Sequence, residues 1–165
     1  MKNKSAFKLS FLLVFFSIYL LPSSYMMGQD RDIFEISDNS GFDQNDREDF
    51  YDLAFNLKTT VYLKGNKVEN KYGEGDVVKI SLEDINSTDI LVLNQMEYKS
   101  AELITIKIKN VNELSSKIDL TELSEMTNLK FIFIKCLFKT SSQQIESFIS
   151  ANPNVRIFYF AQNPH

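Results

Sequence analysis

The stretch that organises this chain is LTELSEMTNLKFIFI, residues 120–134 of 165. Its apolar side chains recur at every third position from Leu120 to Ile132 and then alternate once more, at Ile134. Spacing of three to four residues is typical of one face of a helix, and alternation is typical of a β-strand. The stretch therefore predicts a helical return segment that leads directly into a strand.

The strand part of this pattern recurs at a constant 26-residue interval. Three sets of apolar residues share it: Leu103, Leu129 and Val155; Ile106, Ile132 and Phe158; Ile108, Ile134 and Phe160. The motif Val77-x-x-Ile80-x-Leu82 lies one further interval upstream. A unit of one strand and one return segment cannot bury its apolar face alone, so neighbouring units are expected to stack and form a continuous core.

This pattern resembles the leucine-rich repeat family, whose units run about 20–29 residues with one short strand each. Val61-x-Leu63-x-x-Asn66-x-Val68 matches the second half of the family motif, including its asparagine, and Asn163 holds the same place in the last unit. Val111 and Leu137 depart from the motif at that place, and residues 90–98 fit no unit. The resemblance covers residues 50–163 and implies an α/β fold: a short leucine-rich-repeat-like solenoid with a parallel sheet on one face and helices or return segments on the other. An ordinary α/β layer sandwich of the same strands and helices is the alternative.

Other elements follow from local spacing. Phe50, Leu53, Ala54 and Leu57 predict a helix over residues 46–57 with Asp46 as its N-cap, and the glycine-rich residues 65–76 predict a loop. A second helix is expected around Ile145 and Phe148, with Ser141 or Ser142 as its cap. Enrichment in β-branched and aromatic residues predicts strands over residues 60–63, 77–82, 90–93, 103–108, 129–134 and 155–160.

Residues 1–28 have the layout of a secretory signal peptide. Lys2, Lys4 and Lys8 precede an apolar run from Leu9 to Leu21, which is short for a membrane-spanning helix. Cleavage after Gly28 is the expected outcome, and a retained anchor is the alternative. We therefore expect an exported protein, periplasmic or extracellular, that meets the membrane only through its signal before cleavage. Residues 29–47 are predicted to be a flexible acidic lead-in, and residues 48–165 the leucine-rich-repeat-like domain.

Composition argues against several classes of function. The formal net charge is −4, which disfavours nucleic acid as a partner, because phosphate contacts need a basic surface. The single cysteine, Cys136, cannot form an internal disulfide and is expected to be an inert packing residue. The single histidine, His165, leaves no base for a Ser-His or Cys-His site. We predict no enzyme, cofactor or metal site, although the many acidic residues leave a two-carboxylate hydrolase open.

The candidate site is the sheet face opposite the return segments. Eight residues are expected to lie on it: Thr105, Lys107, Lys109, Phe131, Phe133, Lys135, Ile157 and Tyr159. The constant interval places Thr105, Phe131 and Ile157 in one row, and Lys107, Phe133 and Tyr159 in the next. Because residues 129–134 are apolar toward both faces, the sheet should be covered on both sides. Either another part of the chain or a partner provides that cover.

Lys109 and Lys135 are expected to be neighbours on this face, where an acidic partner would relieve their repulsion. The resulting functional prediction is a non-catalytic interaction module for a protein or glycan partner. The alternative is a structural subunit, a homo-oligomer or part of a cell-envelope complex, in which this face is permanently buried.

Overall fold

The architecture comes from a computed structural model that describes residues 33–37 and 43–162, all within one compact unit, Arg31–His165. The predicted signal peptide and Asn163 lie outside the described residues. No helix in the described part of the chain is long and apolar enough to span a bilayer. The strands and helices, in chain order, are β1 (Ile33–Glu35), α1 (Gln44–Phe55), β2 (Thr60–Leu63), β3 (Val68–Tyr72), β4 (Lys79–Leu82), α2 (Thr88–Leu93), β5 (Leu103–Ile108), β6 (Ile118–Asp119), β7 (Phe131–Cys136), α3 (Ser142–Phe148), β8 (Ile149–Ser150) and β9 (Arg156–Ala161).

The described strands form a mostly parallel seven-stranded sheet in the order β1-β9-β7-β5-β4-β2-β3. Strands β2, β4, β5, β7 and β9 follow one another in space as they do in the chain, and all are parallel. Strand β1 joins β9 at one edge, and the antiparallel strand β3 forms the other edge. The predicted α/β class is confirmed.

The sheet register differs from the constant interval expected from the sequence. One column of paired residues consists of Leu63, Leu82, Ile106, Ile134 and Tyr159, whose spacing along the chain is unequal. The constant interval was wrong because the return segments differ in length. Ile134 pairs with Tyr159, whereas the constant interval aligned it with Phe160. Because alternate residues of a strand face opposite ways, this shift of one residue turns each side chain of β9 to the face opposite the expected one.

One face of the sheet, the return face, packs against the return segments. Ile104, Ile106, Ile132 and Ile134 are fully buried there against Phe148 and other apolar residues of the connections. A short second sheet, β6 with β8, links two of these connections. The column of stacked aliphatic side chains is thus shielded from water by the return segments, as burial of apolar surface requires.

The opposite face, the helix face, is partly covered by α1. Phe50 is completely buried, and its ring stacks on that of Phe158 at 3.8 Å between centroids and an interplanar angle of 9°. Phe131 and Phe133 meet the Phe50 ring edge-on, at 5.8 and 5.3 Å. The sequence left open whether another part of the chain or a partner covers this face. Over these phenylalanines, the cover is helix α1 of the chain itself.

Several local predictions are confirmed. Strands β2 and β5 have the expected bounds, and α3 begins after Ser141, whose side chain forms a capping box with Gln144.

Helix α1 starts at Gln44, and its N-cap is Asp43, which accepts a hydrogen bond from the Asn45 backbone N–H at 2.8 Å. The expected N-cap, Asp46, therefore lies inside the first turn of the helix.

Other local predictions were wrong. Residues 90–93 were predicted as a strand but belong to helix α2, which begins with the polar Thr88 and Asp89 and buries Leu91. Residues 120–130 form successive turns instead of a helix. Within the predicted acidic lead-in, Ile33–Glu35 is strand β1, whose residue Phe34 lies beside Phe158.

The predicted loop at residues 65–76 contains strand β3 and its turn. Gly65 and Asn66 have φ of 56° and 57°, and Lys64 and Lys67 exchange backbone hydrogen bonds across them. Two consecutive positive φ values define a type I′ turn, the hairpin turn that matches strand twist. Asn66 is thus a turn residue here, whereas the resemblance assigned it to the repeat motif.

Candidate binding surface

Helix α1 covers the beginnings of the sheet strands and leaves their ends open. Its acidic residues pair with basic residues at the starts of two strands: Asp46 with Arg156 of β9, and Asp49 with Lys130, just before β7, at 4.0 Å. The opposite ends of the strands carry a row that α1 does not bury, the carboxyl-end row, formed by Glu83, Lys107, Lys135 and Phe160.

Two of the eight predicted site residues, Lys107 and Lys135, belong to this open region, and Thr105 lies on the same face but is buried. Lys107 pairs with Lys135, and Thr105, which is 9% exposed, pairs with Phe133. The neighbour of Lys135 is therefore Lys107 and not Lys109, as the sequence had suggested. Lys109 follows β5 as an exposed residue, and its backbone N–H donates to Glu113.

The remaining predicted site residues are buried beneath other elements. Phe131 and Phe133 lie on the expected face but under α1, each only 2% exposed. Ile157 and Tyr159 lie on the return face, because the step from β7 to β9 is an odd number of residues. The expected rows of Thr105, Phe131 and Ile157, and of Lys107, Phe133 and Tyr159, are therefore not formed.

Glu83 of the carboxyl-end row accepts two hydrogen bonds from neighbouring side chains. One Glu83 carboxylate oxygen accepts from the Ser81 hydroxyl at 2.8 Å, and the other accepts from the Lys107 ammonium at 2.7 Å. Both bonds involve a charged group and are therefore stronger than neutral hydrogen bonds. The pair holds Lys107 in place at the surface.

Lys135 and Lys79 lie on the same face without a carboxylate at ion-pair distance among the described residues. The Lys135 ammonium lies over the Phe133 ring, 4.8 Å from its centroid. Lys79 donates to the Asn56 backbone carbonyl at 3.1 Å. Burial lowers the pKa of both lysines, and neighbouring ammonium groups lower it further: Lys107 beside Lys135, and Lys135 and Lys58 beside Lys79.

An open cleft of about 470 Å³ adjoins the carboxyl-end row, and we term it the hairpin cleft. It lies where the β2–β3 hairpin borders β4 and β5, and its lining mixes aromatic, acidic, amide and basic side chains: Tyr62, Glu69, Asn70, Tyr72, Glu83 and Lys107. The volume lies in the range of ligand sites, but the lining is more polar than is usual for a small-molecule pocket. Sequence reasoning missed the cleft because it treated residues 65–76 as a loop, although Gly65-Asn66 is a recognised hairpin signal.

Exposed aromatic rings border the open region. Phe55, at the end of α1, is 56% exposed and lies 6.1 Å from the Phe133 ring, and Phe160 of the carboxyl-end row is 45% exposed. Tyr51 packs beside Phe55 at 5.4 Å between ring centroids. Large apolar groups left in water beside a polar cleft are typical anchors for a partner.

Metal-ligand clusters and the thiol of Cys136 are the two kinds of reactive centre at issue among the described residues. These residues contain no group of three or more His, Cys, Asp or Glu side chains placed to hold a metal ion. Cys136 is buried, and burial, with a smaller contribution from the Glu113 charge, raises the pKa of its thiol to about 11. A thiol of that pKa stays protonated near neutral pH and is a poor nucleophile.

Comparisons with protein-family models, curated proteins and solved structures find no match to this chain. The function is therefore inferred from the surface itself.

Proposed function

We propose that this protein is an exported, non-catalytic interaction module with a short leucine-rich-repeat-like array, and that it binds a protein partner through the carboxyl-end row and the hairpin cleft. The observation that carries the proposal is the part of the helix face that α1 leaves uncovered. It combines fixed charges, a cleft and exposed aromatic rings on a rigid sheet, the combination expected of a binding surface.

Two features support the repeat-like array. Five parallel strands follow one another in chain order. The connections from β4 to β5, β5 to β7 and β7 to β9 pack on the return face, whereas the connection from β2 to β4 contains strand β3, which joins the sheet. The steps between paired positions of successive strands lie close to the length of leucine-rich repeat units, about 20–29 residues. The signal-like pattern of residues 1–28 supports export to the periplasm or the exterior.

Photo-crosslinking tests the binding role in the cells that make the protein. A photoreactive phenylalanine analogue at Phe160 preserves the aromatic ring in the carboxyl-end row. We expect it to give a discrete adduct with one protein. The matched control carries the analogue at Leu93, which is 83% exposed on α2. Absence of an adduct from position 160, or the same adducts from both positions, would contradict the proposal.

The second candidate function is a structural subunit that assembles with copies of itself. Strand β3 favours it, because this edge strand is exposed along its whole length and carries Val68 and Tyr72, each about half exposed. An unpaired strand edge is a template for pairing with another chain. Glu69, Lys71 and the bulge near Leu63 oppose such pairing, since charges and bulges protect natural sheet edges.

A further inference from the structure

Three lysines lie on the helix face of a chain whose net charge is −4. Lys79, Lys107 and Lys135 come from three neighbouring strands, β4, β5 and β7, and point to this same face. Glu83 is the one carboxylate at ion-pair distance from any of the three among the described residues, and it engages Lys107. Two ammonium groups on this face are therefore not neutralised by an acid in direct contact.

Each of these two ammonium groups is held in place, and the charge of Lys135 acts on Lys79. The Lys135 side chain is placed by the Phe133 ring and the Lys79 side chain by the Asn56 carbonyl, so neither is simply extended into water. Like charges that are partly buried repel more strongly than charges in bulk water. A bound anion between them would relieve this repulsion, and the lowered pKa of both lysines is consistent with that view.

Aromatic side chains border the lysines, beside the polar groups already described. Phe160 is the strand neighbour of Lys135, and Phe55 contacts the same Phe133 ring that Lys135 covers. Both phenylalanines are about half exposed. A phosphate would satisfy the charges and leave these rings in water. A peptide that presents acidic and apolar side chains together would satisfy the charges and cover the rings.

We propose that Lys79, Lys107 and Lys135, with Phe55 and Phe160, form a docking patch for a protein segment rich in both carboxylate and large apolar side chains. This rests on the proposed function and names the chemistry of its partner. The carboxylates bind between Lys79 and Lys135, and the apolar side chains pack on Phe55 and Phe160. Lys107 stays paired with Glu83 and adds a donor at the rim.

Titration of the purified protein with short fluorescent peptides tests this patch. The probe peptide alternates Glu and Asp with Leu and Phe. Two comparison peptides replace either its acids by Lys or its Leu and Phe by Ser. We expect binding of the probe alone, weakened by added salt, because charge pairs at a surface are screened. Equal binding of the lysine peptide, or no binding of the probe, overturns the proposal.

Matched variants locate the site. The double variant Lys79→Gln with Lys135→Gln keeps the long side chains and removes two charges, and we expect it to weaken probe binding about tenfold or more. Lys99→Gln with Lys117→Gln makes the same change of charge at exposed positions outside the helix face and should leave the affinity unchanged. Equal losses in the two double variants overturn the patch. Circular dichroism and thermal unfolding verify that each variant is folded.

Two outcomes separate this inference from the proposed function. If the probe peptide does not bind but the crosslinked adduct at position 160 persists, the acidic-apolar chemistry is wrong and the interaction module stands. If oligogalacturonate, an anionic glycan, binds the patch and the peptide does not, the partner is a glycan and this proposal is overturned.

Discussion

Phe50 is the side chain through which α1 covers the sheet. It is fully buried among Phe131, Phe133 and Phe158, which come from two neighbouring strands. We expect Phe50→Ala to lower the free energy of unfolding by about 3–5 kcal/mol, because it removes a buried ring and leaves a cavity. Urea unfolding measures this loss. Tyr51→Ala, at the adjacent and partly exposed position, is the control and should cost far less.

Exposure of the sheet face is a second consequence of Phe50→Ala. If α1 detaches, Phe131 and Phe133 become accessible to a fluorescent hydrophobic dye at urea concentrations where the wild-type protein remains folded. Equal unfolding midpoints for Phe50→Ala and Tyr51→Ala would mean that α1 does not stabilise the sheet through this ring.

Burial of Cys136 is expected to make the protein less stable as the pH becomes alkaline. The pKa of this thiol is raised from 9.0 to about 11 in the folded state, so folding favours the protonated thiol. This contribution is complete below pH 9 and is lost as the pH rises toward 11, by about 2–3 kcal/mol. Urea unfolding at a series of pH values measures the loss. In Cys136→Ala the stability between pH 9 and 11 should fall less steeply, whereas identical slopes would argue against a buried thiol.

At the scale of the element, the β2–β3 hairpin depends on its turn. Gly65 adopts φ of +56°, and a side chain added there meets no atom within 4 Å, so the cost of substitution is backbone strain alone. We expect Gly65→Val to destabilise the hairpin by about 1–2 kcal/mol, since L-residues with a Cβ disfavour this region. Hydrogen exchange of the β3 backbone amides measures the effect. Asn66→Gly should leave the same amides protected, and loss of protection in both variants would contradict the role of Gly65.

The elements also show where local patterns are informative. Strand β5 and helix α3 have the positions predicted from Leu103 to Ile108 and from Ser141, because alternation and capping are properties of neighbouring residues. Residues 90–93 are apolar and short, and a run of that kind fits a buried strand or a helix equally well. Their place in helix α2 depends on what Leu91 packs against, which local pattern does not contain.

At the scale of the whole molecule, the cover provided by α1 bears on the oligomeric state. We expect a monomer across a wide concentration range, because Phe131, Phe133 and Phe158 of the helix face are buried within the chain. Size-exclusion chromatography with light scattering checks this. A constitutive dimer dispersed by Tyr72→Lys, and unaffected by the control Leu93→Lys, would instead place strand β3 in a self-interface and favour the structural subunit.

The candidate site was predicted in part. Thr105, Lys107 and Lys135 were assigned to the correct face because they alternate with the buried isoleucines of β5 and β7. Ile157 and Tyr159 were assigned to the wrong face, since the constant interval expected between β7 and β9 is even, and the real step between paired positions is odd. Tyr62 and Tyr72 lie together in the hairpin cleft only because the type I′ turn folds β3 back along β2.

The amino-acid sequence by itself determined the α/β class, most strands of the large sheet and the isoleucines of β5 and β7 that point to the return face. These follow from side-chain periodicity, which is a local property of the chain. Only the tertiary structure decided the register between strands, the cover of the helix face by α1 and the formation of the hairpin cleft. The physical reason is that these depend on contacts between residues far apart in sequence, such as Phe50 with Phe158, whose energies no local spacing records.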